Sequence, residues 1–299
     1  MIRIKAPAKV NLFLRIMARE ESGFHQLETL FQALELGDSL TIRPGGRDIA
    51  LRLDGPPLGT PEENLSYRAA RGFRRLAGLE EGVEIHLEKK VPIRAGLGGG
   101  SSDAAAVLRA MDTLFPGQVN RKDLLSLAAE LGSDVPFFLA SSPLALAWGR
   151  GQRLLPLSCL PRAPVLVAVP PEGVSTADAY GWLARAREGE SAVPRPALHD
   201  LRALSDWDAV GQLTENDFER VVFTAHPLLG RLKEAMEGMG SRFALLSGSG
   251  SALFAVFREE KEARDAAVRL QASFSGTRFL LTHTLERLPD PIPPPGVEG

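Results

Sequence analysis

Four stretches of the 299-residue chain carry groups that could do chemistry, and the densest is Pro92-Ile93-Arg94-Ala95-Gly96-Leu97-Gly98-Gly99-Gly100-Ser101-Ser102-Asp103. Four glycines fall within five positions, and two serines follow at once. Ala104, Val107, Leu108, Met111 and Leu114 then recur at the spacing of one helix face. A helix N-terminus offers unpaired N–H groups and positive partial charge. Glycines ahead of it allow positive φ and close approach of the backbone to a ligand. Together they make a phosphate cradle. The plainer reading is a glycine turn with Ser101 or Ser102 as an N-cap. No Lys follows Gly100, so the stretch is not a Walker A loop. Its spacing is not that of a dinucleotide fold, and the H-R-D and D-F-G elements of protein kinases are absent from the sequence.

The other three stretches are weaker alone. Lys9 and Asn11 share one face of a strand at period two, although a single lysine there usually reads as surface. Gly132-Ser133-Asp134-Val135-Pro136 could be no more than the cap of a short helix with Pro136 in its first turn. Leu246-Ser247-Gly248-Ser249-Gly250-Ser251 is a second Gly/Ser loop, by itself a hairpin turn. A turn at Glu20–His25 adds Phe24 and His25.

The elements that must position these groups follow from periodicity. Strands are expected at 2–5 and 10–16, parted by Pro7-Ala8-Lys9, then at 30–36, 39–43, 48–53 and 83–90. Asn64 is placed to cap a helix over 65–77 that Gly78 stops, and Asn120 to cap another over 120–131. The strand at 83–90 feeds the glycine loop, so the loop joins strand to helix. A hairpin at 143–155 about Gly149-Arg150-Gly151 precedes a proline-punctuated joint at 158–164. Beyond it the pattern predicts strands at 165–169, 243–246, 252–257 and 278–284, and helices at 176–187, roughly 201–213, 217–224, 227–238 and 259–272.

Composition sets the class. The chain is 44% hydrophobic and 24% charged, as expected of a soluble globular protein. Its 35 basic and 37 acidic residues argue for neither a nucleic-acid nor a membrane partner. Cys159 is alone, which excludes a disulfide framework and a Cys-based metal site. The first residues lack the apolar core of a signal peptide, and a cytoplasmic location is expected.

Read together, the stretches resemble the three motifs of the GHMP kinase superfamily: Pro7-Ala8-Lys9-Val10-Asn11-Leu12, the 92–103 loop with its P-x-x-x-G-L-G-G-G-S-S pattern, and the 246–251 loop. Gly23-Phe24-His25, Glu63-Asn64-Leu65 and Leu131–Phe137 are similar to the diphosphocytidyl-methylerythritol kinase branch, which has Tyr where Phe24 stands. The resemblance implies an α+β, two-domain GHMP kinase fold. Its N-terminal α/β domain is of a type shared with a ribosomal protein, and the active site lies in the cleft between it and a C-terminal α+β domain. Boundaries are expected at 1–158 and 159–286, with 287–299 a disordered proline-rich tail. The implied activity is ATP-dependent phosphorylation of a small-molecule hydroxyl, the 2-hydroxyl of diphosphocytidyl-methylerythritol. By the same resemblance, Lys9 and Asp134 are catalytic, Asp134 as general base. Asn64, Lys89, Pro92, Gly96, Leu97, Gly98, Gly99, Gly100, Ser101 and Ser102 bind ATP. Asn11, Phe24, His25, Gly248 and Gly250 bind the substrate, with Phe24 stacked on cytosine. Mg2+ is expected to be held mainly by ATP, with no protein ligand assigned. Monomer and homodimer both stay open. Two departures stand out. Arg94-Ala95 occupies a position where small residues are common, and Asp103 brings a charge close to bound phosphate. That charge is unfavourable unless the side chain faces away, caps the helix or helps hold Mg2+. Another GHMP small-molecule kinase is the alternative within the superfamily, and a non-catalytic nucleotide-binding relative the alternative outside enzymes.

Overall fold

The computed structural model describes residues 1–19, 25–188, 204 and 206–293. Its organising pair is β1 (Ile2–Arg19) with β2 (His25–Pro44), antiparallel from Ile2↔Ile42 to Arg19↔His25. The sequence pattern breaks each of these into two strands, but both run through. Register shifts between Pro7 and Lys9 and between Asn11 and Phe13 absorb the irregular residues as bulges. A proline at a bulge removes no ladder hydrogen bond.

β2 has a different neighbour at each end of its other edge. Its 39–44 segment pairs with β4 (Val83–Glu88), and its 27–32 segment pairs with β5 (Leu144–Gly149). β3 (Ile49–Asp54) lies parallel to β4, and β6 (Arg153–Pro156) completes the hairpin with β5. The second sheet has the order β10-β7-β9-β8, from β7 (Pro164–Val169), β8 (Phe243–Leu246), β9 (Leu253–Val256) and β10 (Arg278–His283).

Helices cover the outer face of each sheet. On the first lie α1 (Leu65–Ala77), α2 (Gly99–Leu114) and α3 (Arg121–Leu131). Asn64 caps α1 by accepting from Ser66 N at 2.9 Å, and Asn120 caps α3 by accepting from Asp123 N at 2.9 Å. On the second lie α4 (Thr176–Ala186), α6 (Glu219–Ala225), α7 (Pro227–Glu237) and α8 (Glu260–Ser273), whereas α5 (Trp207–Gly211) sends Trp207 and Val210 into the core between the sheets. The helix expected over 201–213 is thus shorter among the described residues; 201–203 and 205 lie outside them.

Three buried cores result, one under each helical layer and one between the sheets, and β1 passes through all of them. Ile2, Ile4 and Ala6 join the first helical layer; Ala8, Val10 and Leu12 pack against Val165, Val167 and Phe254 between the sheets; Leu14 and Ile16 reach the second helical layer. Period two then sends Lys9 and Asn11 to the opposite side of β1 from Ala8, Val10 and Leu12.

The tail departs from its expected disorder as far as residue 293. Leu288 is buried, and Ile292 exchanges both backbone hydrogen bonds with Arg3 at 2.7 and 2.9 Å. The free edge of β1 supplies partners, and the prolines stand where no donor is needed. Residues 294–299 lie outside the described ones. Among the described residues no helix is long and apolar enough to cross a membrane.

Phe73, fully buried in the core under α1–α3, carries this layer. Phe73→Ala should lower unfolding stability by about 3–5 kcal/mol in urea titration. The second sheet and its helices should keep their packing in near-UV circular dichroism at low urea.

Candidate active site

The glycine loop starts α2 as its sequence suggested, and the geometry shows why the glycines are required. Gly98 is the N-cap of α2 with φ 70°, and a Cβ there would stand 2.9 Å from Lys9 Cγ and 3.3 Å from the Phe138 ring. Gly96 has φ 77°, and its Cβ would stand 2.0 Å from Ser247 O. Any side chain at either position meets both backbone strain and a collision. Gly98 and Gly99 are half-buried and Gly100 is exposed, so the first turn of α2 is reachable by a ligand. Pro92 is half-buried ahead of the loop, and the Leu97 side chain is buried beneath it. Ser101 is half-buried beside Gly132, whereas the Ser102 hydroxyl is enclosed without a protein partner. An orphaned hydroxyl in the first turn of a helix suits a ligand that brings its own oxygens.

The loop is locked from both sides. Leu97 O accepts from Lys9 N at 2.9 Å, joining it to β1. Ala95 O accepts from Ala252 N, and Gly96 O accepts from Ser247 Oγ at 3.0 Å, joining it to the second Gly/Ser loop. That second loop, with Gly248 and Gly250, is anchored in turn by Asn216, whose Nδ2 donates to Leu246 O and Gly248 O at 2.8 Å each. The two glycine motifs, about 150 residues apart, therefore form one surface.

Lys9 lies under this surface and is almost fully buried. Its ammonium donates to Asn11 Oδ1 at 2.8 Å, stands 3.5 Å from Asp134 Oδ2 and lies 5.2 Å from the Phe31 ring centroid. A buried cation needs such partners to offset lost hydration. Asn11 is itself enclosed, donating to Thr29 Oγ1, which donates to Phe13 O. Its side chain thereby orients Lys9. Asp134 does not cap the 3₁₀ turn Pro136–Leu139, whose N-cap is Val135 with no side-chain bond. Instead its carboxylate is 30% exposed and faces Lys9, which leaves it open to a ligand.

Other expected residues fall differently. Asn64 lies half-buried with its oxygen spent on capping α1. Lys89, expected at the nucleotide, has its ammonium buried between Asp38 and Asp103. Phe24 lies outside the described residues. His25 is stacked on Tyr180 of α4, ring centroids 4.5 Å apart, and Tyr180 in turn meets Phe218 edge-on. Burial and then the nearby Asp134 charge push the Tyr180 phenol up to about 12, so it stays neutral. The sequence reading missed Tyr180 and Asp38. Tyr180 sits in an ordinary helical pattern, and only Asp38, a carboxylate following the apolar run 30–36, carried any local signal.

The arrangement can hold a chain of phosphates at a helix N-terminus, neutralise charge with a buried ammonium, and receive a proton on an open carboxylate. Comparisons with known proteins show the family. Models for the GHMP kinases N terminal domain and the GHMP kinases C terminal match residues 64–142 and 196–276. A 4-diphosphocytidyl-2-C-methyl-D-erythritol kinase of Anaeromyxobacter dehalogenans is 42% identical over 95% of this chain and 91% of its own. One from Chlorobium luteolum is 40% identical over 91% and 94%. A crystal structure of 4-(cytidine 5'-diphospho)-2C-methyl-D-erythritol kinase is 39% identical and superposes with a TM-score of 0.77, covering 94% of this chain and 98% of that one. A homoserine kinase from Cytophaga hutchinsonii, 22% identical with a TM-score of 0.74, shares the fold over 97% of each chain.

Gly98→Ala should displace Lys9 and reduce turnover by ~10²-fold or more while far-UV circular dichroism stays unchanged. Asn216→Ala leaves two buried carbonyls unpaired and should lower stability by about 1–3 kcal/mol in thermal or urea melts.

Proposed function

The chain belongs to the 4-diphosphocytidyl-2-C-methyl-D-erythritol kinase family of the GHMP kinases, and from that premise we propose how its residues divide the work. The reaction is ATP-dependent phosphorylation of the 2-hydroxyl of 4-diphosphocytidyl-2-C-methyl-D-erythritol, a step of the non-mevalonate isoprenoid route, giving the 2-phosphate and ADP.

The proposal rests on one observation: the Lys9–Asp134 pair at 3.5 Å beside the N-cap of α2. The backbone of Gly96–Ser101 holds the ATP phosphates, and the α2 dipole offsets part of their charge. Asp134 accepts the proton of the 2-hydroxyl as that oxygen bonds to the γ-phosphorus, and the bond to the ADP oxygen breaks. Lys9 stands between the base and the cradle, where it stabilises charge on the attacking oxygen and on the transferring group. Phosphoryl transfer has a loose transition state, so placement and fixed charge supply most of the acceleration. Mg2+ arrives with ATP as part of the substrate.

The cytidine end lies toward His25. His25 and Tyr180 offer aromatic faces there, and Gly248 and Gly250 close over the phosphates from the other side. We divide the chain into units at 158/159, with the site between them, and place the reaction in the cytoplasm, where ATP is supplied.

ADP release from Mg-ATP and diphosphocytidyl-methylerythritol tests the reading. Asp134→Ala should cut turnover by at least ~10²-fold, the usual size of a general-base contribution. Turnover that survives the change removes Asp134 from the chemistry. An inactive wild type that instead phosphorylates mevalonate or homoserine overturns the substrate.

A further inference from the structure

The mechanism above makes no use of a buried cluster directly beneath the cradle. Lys89 lies just past β4, Asp38 on β2, and Asp103 near the start of α2. Lys89 Nζ donates to Asp38 Oδ2 and, at 2.7 Å, to Asp103 Oδ2. Their side chains are only 4%, 0% and 2% exposed. The ammonium lies 3.4 Å from where a Cβ on Gly99 would stand, so the cluster is the floor of the loop.

The two carboxylates are not equivalent. Asp38 Oδ1 accepts from the backbone N–H groups of Lys90 and Val91. Asp103 Oδ1 is buried with no partner. With all three groups ionised, one ammonium faces two carboxylates, leaving an uncompensated negative charge inside the protein. That charge would lie under a loop that must accept polyphosphate. An uncompensated buried charge is relieved by taking up a proton, and the unpartnered oxygen of Asp103 has room in its bonding for one. The charged groups facing Asp103 are Lys89, from the end of β4, and Asp38, from β2. From α1, which packs along α2, no charged side chain is bonded to the cluster among the described residues.

We infer that Asp103 is a positioning residue for nucleotide binding, acting through Lys89, and that it takes up a proton from solvent when a nucleoside triphosphate fills the cradle. The floor then carries no net negative charge toward the phosphates. Burial above all, opposed by Lys89 and aided by Asp38, already pushes the free carboxyl up to about 8. An anionic ligand favours the protonated form and raises that value further. The sign follows: affinity is full below the free-state value, and falls as pH rises through it toward the bound-state value. This inference rests on the reading of the cradle as an ATP site.

The test is calorimetric titration of the full chain with the β,γ-imido analogue of ATP and Mg2+, at pH 8, in two buffers of different ionisation heat. The wild type should take up part of a proton, and its Kd should weaken between pH 7 and 9. A one-unit rise in the Asp103 value corresponds to about a tenfold change in Kd. Asp103→Asn keeps an oxygen for Lys89 but cannot carry the charge. It should show no such uptake, a flat Kd across the range, and tighter binding than wild type at pH 9. A merely structural role would lower the melting temperature and leave the slope of Kd with pH in place, which overturns the inference. Absence of proton uptake in the wild type overturns it too, and that measurement needs no variant to fold. Nucleotide binding with the predicted pH dependence but no turnover of diphosphocytidyl-methylerythritol sinks the substrate reading alone. Turnover with pH-independent nucleotide binding sinks this inference alone.

Discussion

The structure depends on burying a lysine next to a helix N-terminus. Two centres of positive charge, the Lys9 ammonium and the N-terminus of α2, are brought together at Gly98. Such a pairing is unfavourable in an empty protein unless each partner is separately satisfied. The protein satisfies Lys9 with Asn11 Oδ1, the Asp134 carboxylate and the face of Phe31. The α2 N–H groups it leaves for a ligand. On the proposed reading the unsatisfied side of this arrangement receives phosphate, which is the sense in which the site is preorganised.

Much of the fold serves to keep that pairing rigid. Lys9 is held by β1, which runs through all three cores and so cannot shift without disturbing each of them. The glycine loop is clamped between β1 and the second Gly/Ser loop, and the latter is tied to the 215–217 segment through Asn216. That segment also bonds back to Leu14, since Leu14 N donates to Glu215 O and Leu14 O accepts from Asp217 N. The C-terminal half therefore does more than cover the site. It supplies the second wall of the cradle, and through Tyr180 it sets the environment of His25 and Asp134. The buried trio of Asp38, Lys89 and Asp103 gives the loop a floor, so that β2, β4 and α2 meet at one ammonium.

How far the sequence alone reached varies with the range of the interaction. The caps of α1 and α3 were legible because Asn64 and Asn120 bond to residues two and three positions away. The start of α2 was legible because glycines followed by a helical face allow few alternatives. β8 was legible because its apolar run ends in a loop that only Gly and Ser could make. The long strands were not. Pro7 and Gly37 look like breaks locally, and only pairing across the sheet, where they stand opposite each other beside a register shift, carries the strands through them. The tail failed for the same reason: its proline content reads as disorder until the free edge of β1 offers Ile292 a partner.

The site divides along that line as well. Residue types and spacing by themselves determined that a glycine loop opens α2 and that the chain resembles kinases carrying three such motifs. Those properties are local: backbone freedom, helix polarity and periodicity act within a few residues. Which groups face the cradle was decided by tertiary structure alone. Asp134 could have been a cap, Asn11 a substrate contact and Lys89 a nucleotide ligand. Packing turned Asp134 toward Lys9, enclosed Asn11 behind it, and shut Lys89 between two carboxylates. A side chain's partners depend on which distant segments share its space, and charge, burial and hydrogen bonding are settled only when those segments meet.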